Sequence, residues 1–126
     1  MNDKSYEQEL RERDVRQKKL DAIVKSATDK VVDSIHGRSP AISSHFFYGA
    51  SAIHPRHLVT WYLFATDAEL KLAKENGLTQ DIDRMTREQL RDFGYPSEGL
   101  TEMMVSFTTD EDIQRETGGN HWEYFK

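Results

Sequence analysis

The chain has 126 residues, 31% of them charged and 37% hydrophobic, with a formal net charge of −5. That length suits one domain with a single core, read here as 1–126: an N-terminal helix over 1–37 with its first half exposed, a linker over 38–44, and a compact α+β body over 45–126. The sequence holds no cysteine, which excludes disulfides, thiolate metal sites and a cysteine nucleophile.

The first residues are densely charged and contain no apolar run of the kind a secretory signal uses, and no later run approaches the roughly 20 apolar residues of a membrane span. The expected location is therefore the cytoplasm. From Ser5 to His36 the pattern is helical: Leu20, Val24, Ala27, Val31 and Ile35 recur at steps of three and four, and Gly37 and Pro40 supply the stop. Before Leu20 only Tyr6, Leu10 and Val15 interrupt the charge, so packing is expected from about Leu20 onward.

Ser44 to Ser51 and His57 to Phe64 are rich in aromatic and β-branched residues and read as a hairpin around Pro55. The second of these strands is apolar on both faces, which predicts a central position. It ends in Phe64-Ala65-Thr66-Asp67, and a variant of that stretch returns as Phe107-Thr108-Thr109-Asp110. Each copy reads as a strand, a capping residue and a helix. Thr66 with Glu69 makes one capping box, and Thr108 with Glu111, or Thr109 with Asp112, makes the other. Asp67 and Asp110 lie where the helix dipole favours an anion, and Asp67, Lys71 and Glu75 are spaced for ion pairs along the first helix. Gly77 and the pair Gly118-Gly119 read as left-handed caps. The duplication is thus read as scaffold, since each matching residue has a structural reason to match.

Between the copies, Thr79 is expected to cap a helix whose apolar stripe is Ile82, Met85, Leu90 and Phe93, ended by Gly94 and Pro96. Met103, Val105 and Phe107 mark one face of a third strand. The alternation of His121, Glu123 and Phe125 with Trp122 and Tyr124 predicts a fourth strand at the C-terminus. The expected fold is α+β, a long N-terminal helix on a mixed or antiparallel sheet of about four strands, in the order α-β-β-α-α-β-α-β.

Charge is unevenly spread: residues 1–38 hold nine Lys/Arg and eight Asp/Glu, whereas residues 39–126 hold eight and fourteen. Between Glu98 and Glu123, seven acids (Glu98, Glu102, Asp110, Glu111, Asp112, Glu116 and Glu123) face Arg115 alone among Lys and Arg. Such a surface repels nucleic-acid backbones and attracts basic partners. The histidines His36, His45, His54 and His57 fall close together but lack the spacing of a zinc site, and no P-loop, dinucleotide fingerprint or GxSxG is present. No cofactor, metal or catalytic residue is assigned.

The pattern W-Y-L-F-x-T-D-x-E-L (Trp61 to Leu70), with G-Y-P (Gly94 to Pro96) and G-G-N-x-x-x-Y-F (Gly118 to Phe125), resembles that of small uncharacterised bacterial proteins over about half of the chain. That resemblance carries no activity with it. In size, acidity and general character the chain also resembles bacterial immunity proteins, which implies a cytosolic inhibitor that neutralises a toxin by binding it. The leading expectation is a protein-binding module docking an acidic face over the active site of a basic toxin such as a nuclease. Its face would comprise the seven acids, with Trp122 or Tyr124 as anchor. Two alternatives stand beside it: a small metal-dependent hydrolase or nuclease using the histidine cluster, and a structural protein that self-associates through its N-terminal helix.

Overall fold

A computed structural model describes residues 5–126; the first four residues of the expected 1–37 segment lie outside the described part. The order is α1 (Tyr6–Ser34), β1 (Ser44–Tyr48), a 3-10 turn (Pro55–His57), β2 (Val59–Phe64), α2 (Asp67–Glu75), α3 (Leu78–Asp92), α4 (Ser97–Leu100), β3 (Met104–Thr109), α5 (Asp110–Thr117) and α6 (His121–Tyr124). Among the described residues the strands form one sheet in the order β1-β2-β3. β1 and β2 pair antiparallel, and β2 and β3 pair parallel. The fold is therefore α+β, with a long N-terminal helix on a small mixed sheet.

β2 sits centrally because both its faces are apolar: Tyr62, Leu63 and Phe64 are all fully buried. One sheet face is covered by α1 and α3, which also pack on each other. Val31 of α1 and Ile35 just past its end, Tyr62 and Phe64 of β2, and Leu78 and Ile82 of α3 belong to one core cluster. Leu20, Val24 and Ala27 of α1 join Leu58, Leu90, Tyr95 and Met103 in another. The stripe at steps of three and four thus meets the core as its spacing requires.

The two strand–helix copies lie side by side, and their helices start at the same end of the sheet. Thr66 Oγ1 accepts from Glu69 N–H at 3.1 Å, and Thr109 Oγ1 accepts from Asp112 N–H at 2.9 Å. Thr108 is left to a different partner, described below. The ladder places Tyr62 opposite Phe107 and Phe64 opposite Thr109, so the sequence alignment of Phe64 with Phe107 is offset from the strand register by two residues.

Three expectations are corrected. Thr79 does not cap α3; Gly77, at φ +85°, turns the chain between α2 and α3, and Thr79 is buried one residue inside the helix. A short helix, α4, follows Pro96, with Gly99 pressed against Pro55 so closely that a Cβ there would lie 2.4 Å from the proline Cβ. The expected fourth strand is the helical turn α6, because Asn120 Oδ1 accepts from Glu123 N–H at 3.1 Å and so caps it. Asn120 and Glu123 are spaced as a capping box, a signal that outweighs five residues of alternation.

Candidate functional site

With α1 and α3 on one face of the sheet, the other face depends on the C-terminus for cover. Phe46 and Tyr48 of β1, Trp61 of β2, and Met104 and Thr108 of β3 share this second face by the alternation of each strand and the pairing register. α6 lays Phe125 across it. The Phe125 ring meets Phe46 edge-on at 4.7 Å, Trp61 at 5.0 Å and Tyr124 at 4.8 Å between centroids. Trp61 Nε1 in turn donates to the Tyr48 hydroxyl at 3.2 Å.

A second clasp holds α6 from its other side. The Tyr124 hydroxyl donates to Asp112 Oδ2, and Thr108 Oγ1 lies 2.6 Å from the same hydroxyl. Since the phenol proton goes to the carboxylate, Thr108 is the donor to Tyr124. Arg115 then joins Asp112 to Asp67, donating to Asp67 Oδ2 at 2.8 Å, and Thr109 Oγ1 donates to Asp67 Oδ1 at 2.6 Å. Asp67 therefore turns to Arg115 across the two copies of the repeat, where an ion pair along α2 was expected. The Arg115 guanidinium, followed by the Thr109 hydroxyl, holds the Asp67 carboxyl below its ordinary value. The Tyr124 hydroxyl, followed by Arg115, does the same for Asp112. Burial and then the neighbouring Asp112 raise Tyr124.

Beside α6 the incomplete cover leaves a groove of about 680 Å³ lined by Phe46, Tyr48, His121, Trp122, Phe125 and Lys126. Trp122 is 76% exposed at its edge. A tryptophan so placed has no part in the core, and an indole next to an apolar groove is the side chain best suited to anchor another protein.

The expected acidic face divides in two. Asp110, Glu111, Asp112 and Glu116 lie on α5, and Glu123 lies on α6, which packs on α5. Glu98 and Glu102 lie on and just after α4, at the opposite end of β3, a separation of roughly 17 Å for a strand of that length. Glu102 faces Arg56 at 3.9 Å. Within the α5–α6 group, Asp112 and Tyr124 are occupied by the clasp; Asp110, Glu111 and Glu116 are exposed, although Glu111 Oε1 accepts from Asp67 N–H at 3.4 Å and Glu116 lies 4.0 Å from Arg115. Glu123 lies 3.8 Å from Lys126.

The four histidines do not converge as a group, although the rings of His54 and His57 lie edge to face at 6.1 Å. His45 Nε2 lies 3.1 Å from Asp29 on α1, His54 Nδ1 accepts from Arg56 N–H, and His36 follows the end of α1. Among the described residues no three His, Asp or Glu side chains are grouped to hold a metal ion. Nor is any helix among them long and apolar enough to cross a membrane. No family model, no curated protein and no solved structure matches the chain.

Trp122 was legible as a candidate anchor, but the groove beside it was not, because its walls come from β1 and from a turn some 70 residues later. The Asn120/Glu123 spacing was the one local signal that this turn is helical.

Proposed function

We propose that the chain is a protein-binding module that receives a basic partner on the surface formed by α5, α6 and the aromatic groove. The observation that carries this reading is the exposed Trp122 beside an apolar groove on the sheet face that α1 and α3 leave open. Trp122, Phe46 and Tyr48 supply apolar contact, and Asp110, Glu111, Glu116 and Glu123 steer the partner by charge. Asp112 and Tyr124 position α6 and act on the partner only through it. Glu98 and Glu102, at the far end of β3, stand outside this surface. In its specific form the module is an inhibitor whose acidic α5–α6 face docks over the cleft of a basic toxin, as the general resemblance to immunity proteins suggests. The dispersal of the histidines favours no hydrolytic alternative.

The test is affinity capture at low and high salt followed by binding kinetics with the captured basic protein. Asp110→Ala/Glu111→Ala/Glu116→Ala should lower the association rate and flatten its salt dependence, with the dissociation rate little changed. Trp122→Ala should raise the dissociation rate about 30-fold or more, the level of an interface hot spot, with no change in melting temperature. An association rate indifferent to both salt and the triple change would refute electrostatic docking, and an unchanged dissociation rate in Trp122→Ala would remove the anchor.

A further inference from the structure

The first half of α1 is helical although none of the described residues buries it. Every residue from Ser5 to Arg16 is exposed, including Tyr6 at 75% and Leu10 at 41%. Tyr6, Leu10 and Gln17 continue the stripe that further along buries Leu20 and Val24, so the core face of α1 runs past the end of the core. The protein's own contribution there is the 49–53 loop. Gln17 Oε1 accepts from Ala52 N–H at 2.9 Å, Arg16 Nε donates to the Ala52 carbonyl at 3.0 Å, and Ile53 stands 62% exposed beside Leu10 across a shallow cleft of about 250 Å³.

The charges along this segment are ordered about a midpoint. At 100° per residue, Glu7, Arg11, Asp14 and Lys18 form one flank of the Tyr6–Leu10 stripe, and Glu9, Arg13 and Arg16 lie on the other. When a second α1 is laid antiparallel with the two-fold axis between residues 12 and 13, Glu7 meets the second copy's Lys18, Arg11 meets its Asp14, and Glu9 meets its Arg16. Each meeting pairs opposite signs on the flank that faces it. Leu10 then lies level with Val15 of the other helix, close to that copy's Ile53, and Tyr6 lies level with its Lys19. A parallel arrangement in register would set the first flank of one helix against the second flank of the other, bringing Glu7 to Glu9, Arg11 to Arg13 and Lys18 to Arg16, like against like, which costs free energy.

We infer that the projecting half of α1 is a self-association surface that pairs antiparallel with the same segment of a second copy of this chain. Its seam is Tyr6, Leu10 and Ile53 from each copy, and its register is set by the flanking charges. The overlap from Tyr6 to Lys19 is about 21 Å of helix. That is short of a standard interface of about 800 Å² per partner, so the pair forms and separates with concentration.

The experiment is sedimentation equilibrium of the full chain from micromolar to millimolar concentration, at low and high salt. The mass should rise from that of one chain, 14.6 kDa, toward twice that value at low salt, and less so at high salt. Glu7→Lys/Asp14→Lys makes one flank wholly basic, and Arg11→Glu/Lys18→Glu makes it wholly acidic. Each variant alone should associate at least ~10-fold more weakly, and an equimolar mixture should dimerise at least as tightly as the parent chain. These side chains are exposed, and far-UV circular dichroism of each variant checks that helix content is kept. Leu10→Gln, which leaves the charges untouched, should weaken association as well. A parent chain that keeps the mass of one copy at millimolar concentration and low salt overturns the inference. So do charge variants that associate as the parent does, and a mixture that fails to dimerise.

Discussion

Phe125 is the residue on which the functional surface hangs, and replacing it with alanine tests that dependence. Its ring makes three edge-on contacts at 5.0 Å or less, to Phe46, Trp61 and Tyr124. Aromatic pairs of this geometry contribute ~0.5–1.5 kcal/mol each beyond area burial, and truncating a buried phenylalanine costs ~3–5 kcal/mol. Phe125 is only half-buried, and its loss leaves an open surface with no sealed cavity, so the cost should fall at about 2–4 kcal/mol. For a chain of this length that corresponds to a fall in melting temperature of roughly 8–15 °C. The effect should be local as well as global: neither core cluster contains a residue of α6. Amide exchange of residues 120–126 should accelerate toward unprotected rates while the amides of β2 and α3 keep protection consistent with the new global stability. Urea titration followed by tryptophan fluorescence, with exchange read by mass spectrometry, measures both. A loss under ~1 kcal/mol with protection of α6 retained would mean that the Tyr124 clasp alone holds the helix, and the reasoning would fail.

A buried chain of hydroxyls gives a second prediction. Thr86 Oγ1 donates to the Ile82 carbonyl at 2.7 Å, so the Tyr62 hydroxyl, 2.8 Å away, must donate to Thr86. Tyr62→Phe should cost ~1–2 kcal/mol, and Thr86→Val somewhat more, because it strands a buried phenol. The double variant should cost less than the sum by about 1 kcal/mol, and strictly additive values in urea unfolding would deny the bond. Acid supplies a third. Asp67 and Asp112 both sit below the ordinary carboxyl value of 3.8, so their stabilisation of the folded state is present above that value and lost as pH falls through the lowered ones. Exchange protection of α6 should therefore hold from neutral pH to about pH 4 and weaken below it. In Arg115→Met the carboxyls return toward 3.8 and the loosening moves to higher pH; an unchanged acid profile would remove Arg115 from the clasp.

What was legible in the sequence was what local geometry determines. The Leu20-to-Ile35 stripe, the hairpin, a cap at Thr66 and a second at Thr108 or Thr109, and the doubly apolar β2 all follow from residues within a turn or two of one another, where helix period, pleat and capping leave few choices. The end of the chain went the other way: His121 to Phe125 alternates like a strand, yet an Asn120 cap and a slot for Phe125 between Phe46 and Trp61 make it a helical turn. The choice between Thr108 and Thr109 as cap was likewise tertiary, since Tyr124 engages Thr108. Asp67 found its partner 48 residues away in Arg115 because parallel pairing of β2 and β3 brings two helix starts together. The acids that run together from Glu98 to Glu123 are divided in space by the length of β3. By itself the sequence determined the long helix, the hairpin, β3 and the helices α2, α3 and α5, with the core faces of α1 and β2, because these depend on spacing along one segment. Only the tertiary structure decided which side of the sheet stays open and which charges meet, because those depend on how strands far apart in the chain come into register.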